Sequence, residues 1–534
     1  MHFAMPPRRR RLLFAVLSVG LCLPSAGSTS QASLLATEQA LWSWTIAQRQ
    51  DGRFSLAWSE GLAVDGTTQA WIRRFDASGA PLAPPILIAE TPGVPSPTVA
   101  ADALGNELVV LLWAEGGGAV RRYELRAYGL SASGAELWPS RQLAEVTEAN
   151  DFIGSVAAVA APQGGWIVVW EENHQNAPEG LELVSTHVAL ADGATRARTS
   201  LGSARQRVYS LGLASDGAQP LAAWQEQPAL DEYRWVARSL DGLGAPTGTV
   251  IDLASASGQA LHFGAPRVSA LGGGSYFVSW AQFDAGAPGV IRGLTYAPGA
   301  PAAPPVDLIH GVGTDWQLNS SIAVDRRGRA LIAWVESPPG SLYPTTVLRQ
   351  LRSVSGEPLG EVVTVADHAG ITSPLVSMTE SGAWIVGWTR PWNPAIQQLA
   401  GVNAQFGTLP SDCEANATTL CLAGNRFRAT ATFHDHLGRD GVGQAVALTP
   451  ESGTFWFFAP ASVELILKVV DACGHPDFRD FWVYASGLTD VEVTLTVVDT
   501  WTGETWERET NLGEPFPPIL DSQAFHTCEA VPLL

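Results

Sequence analysis

The chain has 534 residues, which is long for one ordinary domain but suits a large repeat domain followed by a small one. Only 16% of the residues are charged, while 53 are glycine and 36 are proline, a composition typical of a globular protein with frequent turns. The net charge of −20 repels phosphate groups, which argues against nucleic acids and anionic membranes as partners.

The first 28 residues have the three parts of a secretory signal peptide. Residues 8–11 are all arginine, residues 12–23 form an apolar run, and small residues follow. The run is too short for a permanent membrane anchor, and no later segment is apolar enough to span a bilayer. Cys22 leaves a lipoprotein signal open, although Leu21 stands where a small residue is normally needed. We therefore predict export to the periplasm, the cell surface or the medium.

A short motif recurs seven times within residues 31–408: a turn with glycine, an apolar run, a tryptophan and usually an acidic residue. The motif reads G-R-F-S-L-A-W-S-E in its first copy and A-W-I-V-G-W-T-R in its last. Its tryptophans lie 55, 57, 54, 56, 54 and 54 residues apart, at Trp58, Trp113, Trp170, Trp224, Trp280, Trp334 and Trp388. Such regular spacing indicates a repeat architecture.

Each repeat contains four short apolar segments separated by turn residues, and no stretch has a sustained helical period. A glycine half a period after each of the first six tryptophans marks a turn, at Gly79, Gly134, Gly193, Gly244, Gly299 and Gly356. Four strands in a unit of this length predict a seven-bladed β-propeller with tryptophans packed between the blades. An open β-solenoid usually has shorter repeats, and a row of β-sandwiches needs about 100 residues per unit.

The last repeat lacks a clear fourth strand before Pro410 and Cys413. Residues 31–37 precede the first complete repeat and have the pattern of such a strand. We therefore predict that this N-terminal segment completes the last blade and closes the ring. The repeats resemble the tryptophan-bearing propeller repeats of bacterial secreted and surface proteins, a likeness that covers about residues 31–408. The resemblance implies a fold and an exported location, but not an activity.

Residues 411–534 lose the repeat and contain at least five further apolar segments, which predict a small β-sandwich. Four cysteines lie here: Cys413, Cys421, Cys473 and Cys528. In an exported protein they predict two disulfides, with three pairings open. The segments C-L-A-G-N-R-F-R, F-W-F-F and F-W-V-Y resemble a module found at the C-terminus of exported bacterial hydrolases and repeat proteins. That resemblance implies an accessory or surface-attachment role.

The residue two positions after each motif tryptophan is usually acidic. These residues are Glu60, Glu115, Glu172, Glu226, Gln282, Glu336 and Arg390. Together with Trp392, the charged members are our candidate ligand-binding residues, since a propeller brings equivalent positions into one ring that suits a cation or a basic partner. The alternative is a repeated hydrogen bond or ion pair, and the duplication of the motif favours it.

The main functional prediction is a secreted or surface binding protein that contacts a glycan or protein on one propeller face. The alternative is a secreted glycan-acting hydrolase or lyase with carboxylates at the propeller mouth. The sequence has no G-x-S-x-G elbow, H-E-x-x-H helix or phosphate loop, so catalytic residues stay unassigned and a non-catalytic role is favoured. His434, His436 and Asp440 fit a polar hairpin better than a metal site. No cofactor is predicted, calcium stays open, and a monomer is expected.

Overall fold

The computed structural model describes residues 30–36, 41–61, 67–116, 121–148, 151–174, 181–204, 208–229, 232–257, 266–272, 274–282, 289–311, 320–336, 346–367, 374–379, 382–389, 392–393, 398–399, 401–409, 413–423, 425–473 and 480–527. These residues form 40 β-strands and contain no helix. No segment among them is a helix that could cross a membrane. The predicted signal peptide lies outside the described residues.

Seven four-stranded antiparallel sheets contain the repeats, and their strands are labelled in chain order. The first strand is β1 (Ser30–Ala36). Sheet 1 has β2 (Leu41–Gln48), β3 (Phe54–Glu60), β4 (Thr68–Phe75) and β5 (Ile86–Thr91). Sheet 2 has β6 (Ser96–Ala101), β7 (Glu107–Glu115), β8 (Arg122–Leu130) and β9 (Glu136–Val146). Sheet 3 has β10 (Phe152–Ala160), β11 (Trp166–Asn173), β12 (Leu181–Val188) and β13 (Thr199–Ala204).

Sheets 4 to 6 follow the same plan. Sheet 4 has β14 (Val208–Ser215), β15 (Pro220–Ala229), β16 (Glu232–Leu240) and β17 (Pro246–Ser257). Sheet 5 has β18 (Arg267–Gly272), β19 (Ser275–Gln282), β20 (Val290–Tyr296) and β21 (Val306–His310). Sheet 6 has β22 (Ser320–Val324), β23 (Arg329–Glu336), β24 (Thr346–Ser353) and β25 (Val363–Ala366).

Sheet 7 combines the two ends of the repeat region. It contains β26 (Leu375–Met378), β27 (Ala383–Thr389) and β30 (Gly401–Thr408), with β28 (Trp392–Asn393) and β29 (Gln398–Leu399) as a small hairpin between them. Its outer strand is β1, which runs antiparallel to β30 with Ser30 opposite Phe406 and Ala36 opposite Gly401. The pairing has the form predicted from the missing fourth strand, and it leaves β30 without a free edge.

The second strand of each sheet carries the motif tryptophan and is buried on both faces, which explains its nearly continuous apolar run. The seven tryptophans are at most 6% exposed. Each lies in a separate hydrophobic cluster that joins two consecutive sheets, and the cluster of Trp58 joins sheet 7 to sheet 1. Sheets stacked in this way, each packed on the next, are the architecture of a β-propeller.

The glycines predicted at turns all adopt a left-handed backbone. At Gly79, Gly134, Gly193, Gly244, Gly299 and Gly356, φ lies between 68° and 96°. Side chains with a β-carbon disfavour this region, so glycine is needed there. An aspartate or serine often opens such a turn: the Oδ1 atom of Asp241 accepts hydrogen bonds from the backbone N–H groups of Leu243 and Ala245, each at 2.9 Å.

Two further sheets follow in the C-terminal region. One has β31 (Leu420–Leu422), β32 (Phe427–His434), β33 (Asp440–Val442), β38 (Glu492–Asp499) and β39 (Thr505–Thr510). The other has β34 (Gln444–Thr449), β35 (Ser452–Trp456), β36 (Leu465–Asp471), β37 (Phe481–Gly487) and β40 (Ile519–Phe525). Both contribute to one core, in which Phe427 contacts Phe481 and Phe525 with ring centroids 4.8 and 4.9 Å apart.

A disulfide joins Cys413 to Cys421 at the start of this region. Cys473 is also disulfide-bonded, and Cys528 lies outside the described residues. Deeper in the region, Arg426 forms a buried ion pair with Asp499 at 2.6 Å and donates a hydrogen bond to the carbonyl of Thr527 at 2.7 Å. The disulfide is compatible with an exported protein.

Candidate functional site

The antiparallel order of the strands gives the propeller two different faces. The connections from the first strand to the second and from the third to the fourth lie on one face. The connections from the second strand to the third and from one sheet to the next lie on the other, which we call the loop face. The predicted ligand-binding glutamates lie where the second strands reach the loop face, at or near the ends of β3, β7, β11, β15 and β23.

Four of these glutamates accept a hydrogen bond from the indole of their own motif tryptophan. The distances from Nε1 to the carboxylate are 3.3 Å for Glu115, 2.8 Å for Glu172, 2.9 Å for Glu226 and 2.8 Å for Glu336. The geometry follows from the strand, because residues two apart point to the same face. The repeated carboxylate therefore serves a buried indole N–H that would otherwise lack a partner.

An arginine pairs with several of the same positions. Arg122 lies 3.3 Å from Glu115, Arg234 lies 2.7 Å from Glu226, and Arg198 pairs with Glu172. At the glutamine-bearing position, Arg292 donates to Gln282 at 2.9 Å. The three ion pairs neutralise Glu115, Glu172 and Glu226, which are three of the five glutamates predicted as an acidic ring. The arrangement is the repeated internal contact considered as the alternative.

The remaining predicted residues are less defined. Glu60 ends β3 and is half-buried, and the Nε1 atom of Trp58 has no hydrogen-bond partner among the described residues. Arg390 lies outside those residues. Trp392 belongs to β28, where its backbone is opposite Leu399. A role in ligand binding stays a prediction for every member of the set.

Sheet 3 departs from the repeat at His174, one residue after the end of β11. The imidazole Nδ1 lies 3.2 Å from Oδ2 of Asp151, and Nε2 lies 3.3 Å from Oε2 of Glu172. Both carboxylates are 3% exposed, whereas the histidine side chain is 39% exposed. Arg198 also contacts Glu172 and lies over the Trp170 ring, 5.4 Å from its centroid. We call Asp151, Glu172, His174 and Arg198 the sheet 3 cluster.

The electrostatics of the cluster favour a charged histidine. Partial burial by itself lowers the pKa of His174, but the hydrogen bonds and charges of Asp151 and Glu172 outweigh it and raise the pKa above its usual value. The imidazolium then presents a cation to solvent with two carboxylates behind it. An accessible side chain on a buried, paired support is well suited to contact a polar ligand.

Glu171 lies next to this cluster on the opposite face of β11. Burial raises the pKa of its carboxyl to about 7, against the opposing effect of a hydrogen bond from the backbone of Ser155. That N–H is available because the register between β10 and β11 shifts between Ile153 and Val156. A β-carbon at position 154 would lie 2.3 Å from Oε2 of Glu171, so Gly154 provides the space for the carboxyl.

A cavity of about 500 Å³ lies along the axis, lined by the first strand of each of the seven sheets. Its walls are mostly small side chains and backbone, with hydroxyl groups at Thr45, Thr98 and Ser269. Among the described lining residues, none is aspartate or glutamate, and Arg267 is the one charged residue.

The histidines of the C-terminal region have separate partners. His434 lies 2.8 Å from Asp440, and His436 lies 3.2 Å from Asp490. The described residues contain no group of three or more His, Cys, Asp or Glu side chains that could hold a metal ion. The two histidines thus act as surface hydrogen-bonding residues in this structure.

Sequence reasoning missed Asp151, Glu171, Arg198 and Arg267. Asp151 precedes β10, and Arg198 precedes β13, so only the folded sheet brings them to Glu172. The signal for Arg267 was available in principle, because it stands at a repeat position that is uncharged elsewhere.

No protein-family model matches the chain, and no curated protein sequence matches it. Solved structures are similar at the level of the fold. An α-L-arabinanase from Penicillium chrysogenum is 11% identical with a TM-score of 0.40, over 58% of this chain and 92% of that chain. A polysaccharide lyase, Uly1, is 10% identical with a TM-score of 0.43, over 71% and 99%.

The β-propeller domain of the trilobed protease from Pyrococcus furiosus is also similar, with 8% identity and a TM-score of 0.38, over 66% of this chain and 90% of that chain. By name, two of these three proteins act on glycans. With identities this low and TM-scores below 0.5, the likeness transfers no activity to this chain.

Proposed function

We propose that this chain is an exported seven-bladed β-propeller with a C-terminal β-sandwich, and that it binds a glycan or protein on the loop face. The observation that carries the proposal is His174, an accessible imidazole held by two buried carboxylates at a position that differs from one unit to the next. In a duplicated scaffold, function concentrates where one unit departs from the others.

Two features support binding rather than catalysis. The glutamates of the repeat that face the loops are held by indole and guanidinium groups, so they are poor candidates for a general acid or base. In addition, the lining of the axial cavity includes no carboxylate among the described residues. A rigid face with one accessible charged side chain needs no chemistry to act as a recognition surface.

The test is a binding screen of the mature chain against glycan and protein arrays, with and without calcium. We expect at least one ligand whose affinity falls about tenfold or more in His174→Ala, because the variant removes the accessible charged ring and leaves the carboxylates of Asp151 and Glu172 without this partner. His436→Ala is the matched control, because His436 is exposed, pairs with the carboxylate of Asp490 and lies in the C-terminal region, away from the loop face. Absence of any ligand, or equal losses in both variants, would argue against the proposal.

One observation favours the glycan-acting alternative: Glu171 has a pKa of about 7, the range of a general acid at neutral pH. The side chain of Glu171 is buried, which hinders contact with a substrate. The glycan-acting alternative therefore ranks second to the binding proposal. A reducing-end assay over a panel of polysaccharides tests it. Activity that is lost in Glu171→Gln would establish the enzyme, and inactivity of the wild-type chain on every substrate would eliminate it for that panel.

A further inference from the structure

Arg267 stands in a ring of uncharged residues. It lies opposite Ser279 in the pairing of β18 with β19, one residue before Trp280. The residues at the same register position in the other sheets are Thr45, Ser96, Ala157, Gly212, Ser321 and Leu375. A single arginine at this position is a departure from the repeat that packing alone does not require.

The neighbours of Arg267 at this position of the ring are small. Gly212 precedes it and allows a close approach of β14 to β18, because a β-carbon there would lie 2.5 Å from the carbonyl oxygen of Pro266. Ser321 follows it, with a hydroxyl that accepts a hydrogen bond from the backbone of Val376 at 2.9 Å. Arg267 is one of the residues that line the cavity, and it lies at the end nearer the loop face, since β18 begins at that face and runs toward the opposite one.

The guanidinium has no carboxylate partner among the described residues. Its Nε atom is inaccessible to solvent and makes no hydrogen bond there. The other deeply placed arginines differ: Arg74 pairs with Glu107, and Arg426 pairs with Asp499. Burial lowers the pKa of Arg267, which is the effect of desolvation without a compensating anion. Arg267 is half-buried, and a partly desolvated charge without a carboxylate partner costs free energy that a bound anion would reduce.

The rest of the cavity offers neutral hydrogen-bonding groups. The first strand of each sheet is paired on one side only, so its other edge presents backbone N–H and C=O groups toward the axis. The hydroxyls of Thr45, Thr98 and Ser269 add further donors and acceptors. One cation among many neutral polar groups suits a molecule with one anionic group and several hydroxyls. The volume of about 500 Å³ is in the range of small-molecule sites.

We propose that the axial cavity is a binding site for a small hydroxylated carboxylate, of the class of a sugar acid, whose carboxylate pairs with Arg267. This site is separate from the sheet 3 cluster, and it goes beyond the proposed loop-face function. Carboxylates and guanidinium groups match in geometry and form strong charge-assisted hydrogen bonds. The backbone edges of the first strands then hydrogen-bond the hydroxyl groups.

Isothermal titration calorimetry of the full chain with galacturonate, galactose and sodium sulfate tests the assignment. We expect galacturonate to bind at least about tenfold more tightly than either galactose or sulfate, since only it offers both the charge and the hydroxyls. Equally tight binding of galactose would show that the carboxylate of the ligand does not contribute to the affinity. Sulfate binding as well would reduce the site to a simple anion site. Absence of galacturonate binding would overturn the proposal.

Variants separate ligand binding from a structural role. We expect Arg267→Gln to weaken galacturonate binding about 10- to 100-fold and Arg428→Gln, which removes the same charge from the exposed face of β32, to leave it unchanged. Without ligand, Arg267→Gln should melt at or above the wild-type temperature, because an unpaired charge is removed.

Galacturonate should raise the melting temperature of the wild type and not that of Arg267→Gln. If Arg267→Gln fails to fold, Arg267→Lys keeps the charge and should retain weakened binding. Unchanged affinity in either folded variant would contradict the role of Arg267.

Discussion

The carboxyl of Glu171 is buried beside the register shift of β10, where burial raises its pKa from 4.5 to about 7. The raised value means that the folded state binds a proton between these pH values and that the free energy of unfolding falls as pH rises through this window. Glu171→Gln removes the free-energy cost of ionising a buried carboxyl and keeps the shape of the side chain. We expect it to stabilise the chain by about 2–3 kcal/mol at pH 8 and to have little effect near pH 4.

Thermal and urea unfolding at the two pH values measure this difference. Glu136→Gln is the control, because Glu136 is exposed on β9. A Glu171→Gln variant that is less stable than the wild type at pH 8 would mean that the charged carboxylate has a partner that stabilises it.

The stability also depends on pH through His174, where the fold favours the charged form of the side chain rather than the neutral form. Its pKa is raised in the folded state by Asp151 and Glu172, despite the opposing effect of burial. The stabilisation is therefore complete below the ordinary histidine pKa and is lost as pH rises through the folded value. We expect NMR titration to place the imidazole pKa above about 6.5. Asp151→Asn should lower it; a value that stays unchanged would show that Asp151 is not a source of the shift.

Some contacts between individual residues can be predicted from the sequence, and others cannot. The pairing of Trp170 with Glu172 is predictable, because both lie on one strand two residues apart. The contacts of Glu172 with Arg198 and of His174 with Asp151 are not, because their spacing depends on loops and on how far each strand extends. Local patterns identify side chains that share a face, whereas a site assembled from several strands needs the fold.

At the scale of the element, β1 is the strand whose removal has the clearest consequence. It covers the edge of β30, and Leu34 is 2% exposed in the core between sheets 7 and 1. We expect a chain that starts at residue 41 to melt at a lower temperature than one that starts at residue 30. Its free energy of unfolding should be smaller by at least the roughly 2–5 kcal/mol typical of a lost buried leucine. It should also self-associate through the free edge.

Scanning calorimetry and light scattering test both expectations. A synthetic peptide of residues 30–36 should restore the monomer and part of the stability. Equal melting temperatures for the two chains would mean that β1 contributes little to closing the ring.

The elements that the sequence identified are those with a strong pattern. The buried second strands stand out as apolar runs, and the predicted glycine turns are found at positive φ. In the C-terminal region at least five strands were predicted and the described residues contain ten, among them β39 (Thr505–Thr510), which has no apolar pattern. Its sequence, T-W-E-R-E-T, is polar because most of its side chains are exposed, so it has no apolar signal to detect.

At the scale of the whole molecule, all cysteines of the described residues belong to the C-terminal region, and Cys413 and Cys421 close a short loop there. We expect reduction of the disulfide to lower the free energy of unfolding of this region by about 2 kcal/mol. The double variant Cys413→Ser and Cys421→Ser should have the same effect. The propeller transition should stay unchanged. Calorimetry that shows both transitions shifting together would mean that the two regions unfold as one unit.

The prediction of the whole fold depended on counting. Evenly spaced tryptophans predict repeated units, and the structure confirms an all-β chain with four-stranded antiparallel sheets and propeller packing. The axial cavity and the ion pair of Arg74 with Glu107, which joins sheets 1 and 2, lie between units. They follow from how the sheets stack, and no single repeat contains the information.

The pairing of β1 with β30 also sets the order in which the molecule can be completed. Residue 30 and residue 406 are neighbours in the sheet yet 376 positions apart in the chain. During synthesis the first strand is available long before its partner, and such distant contacts slow folding. The first six sheets can form in sequence while the ring stays open. The ring closes only when β30 has been synthesised and pairs with β1.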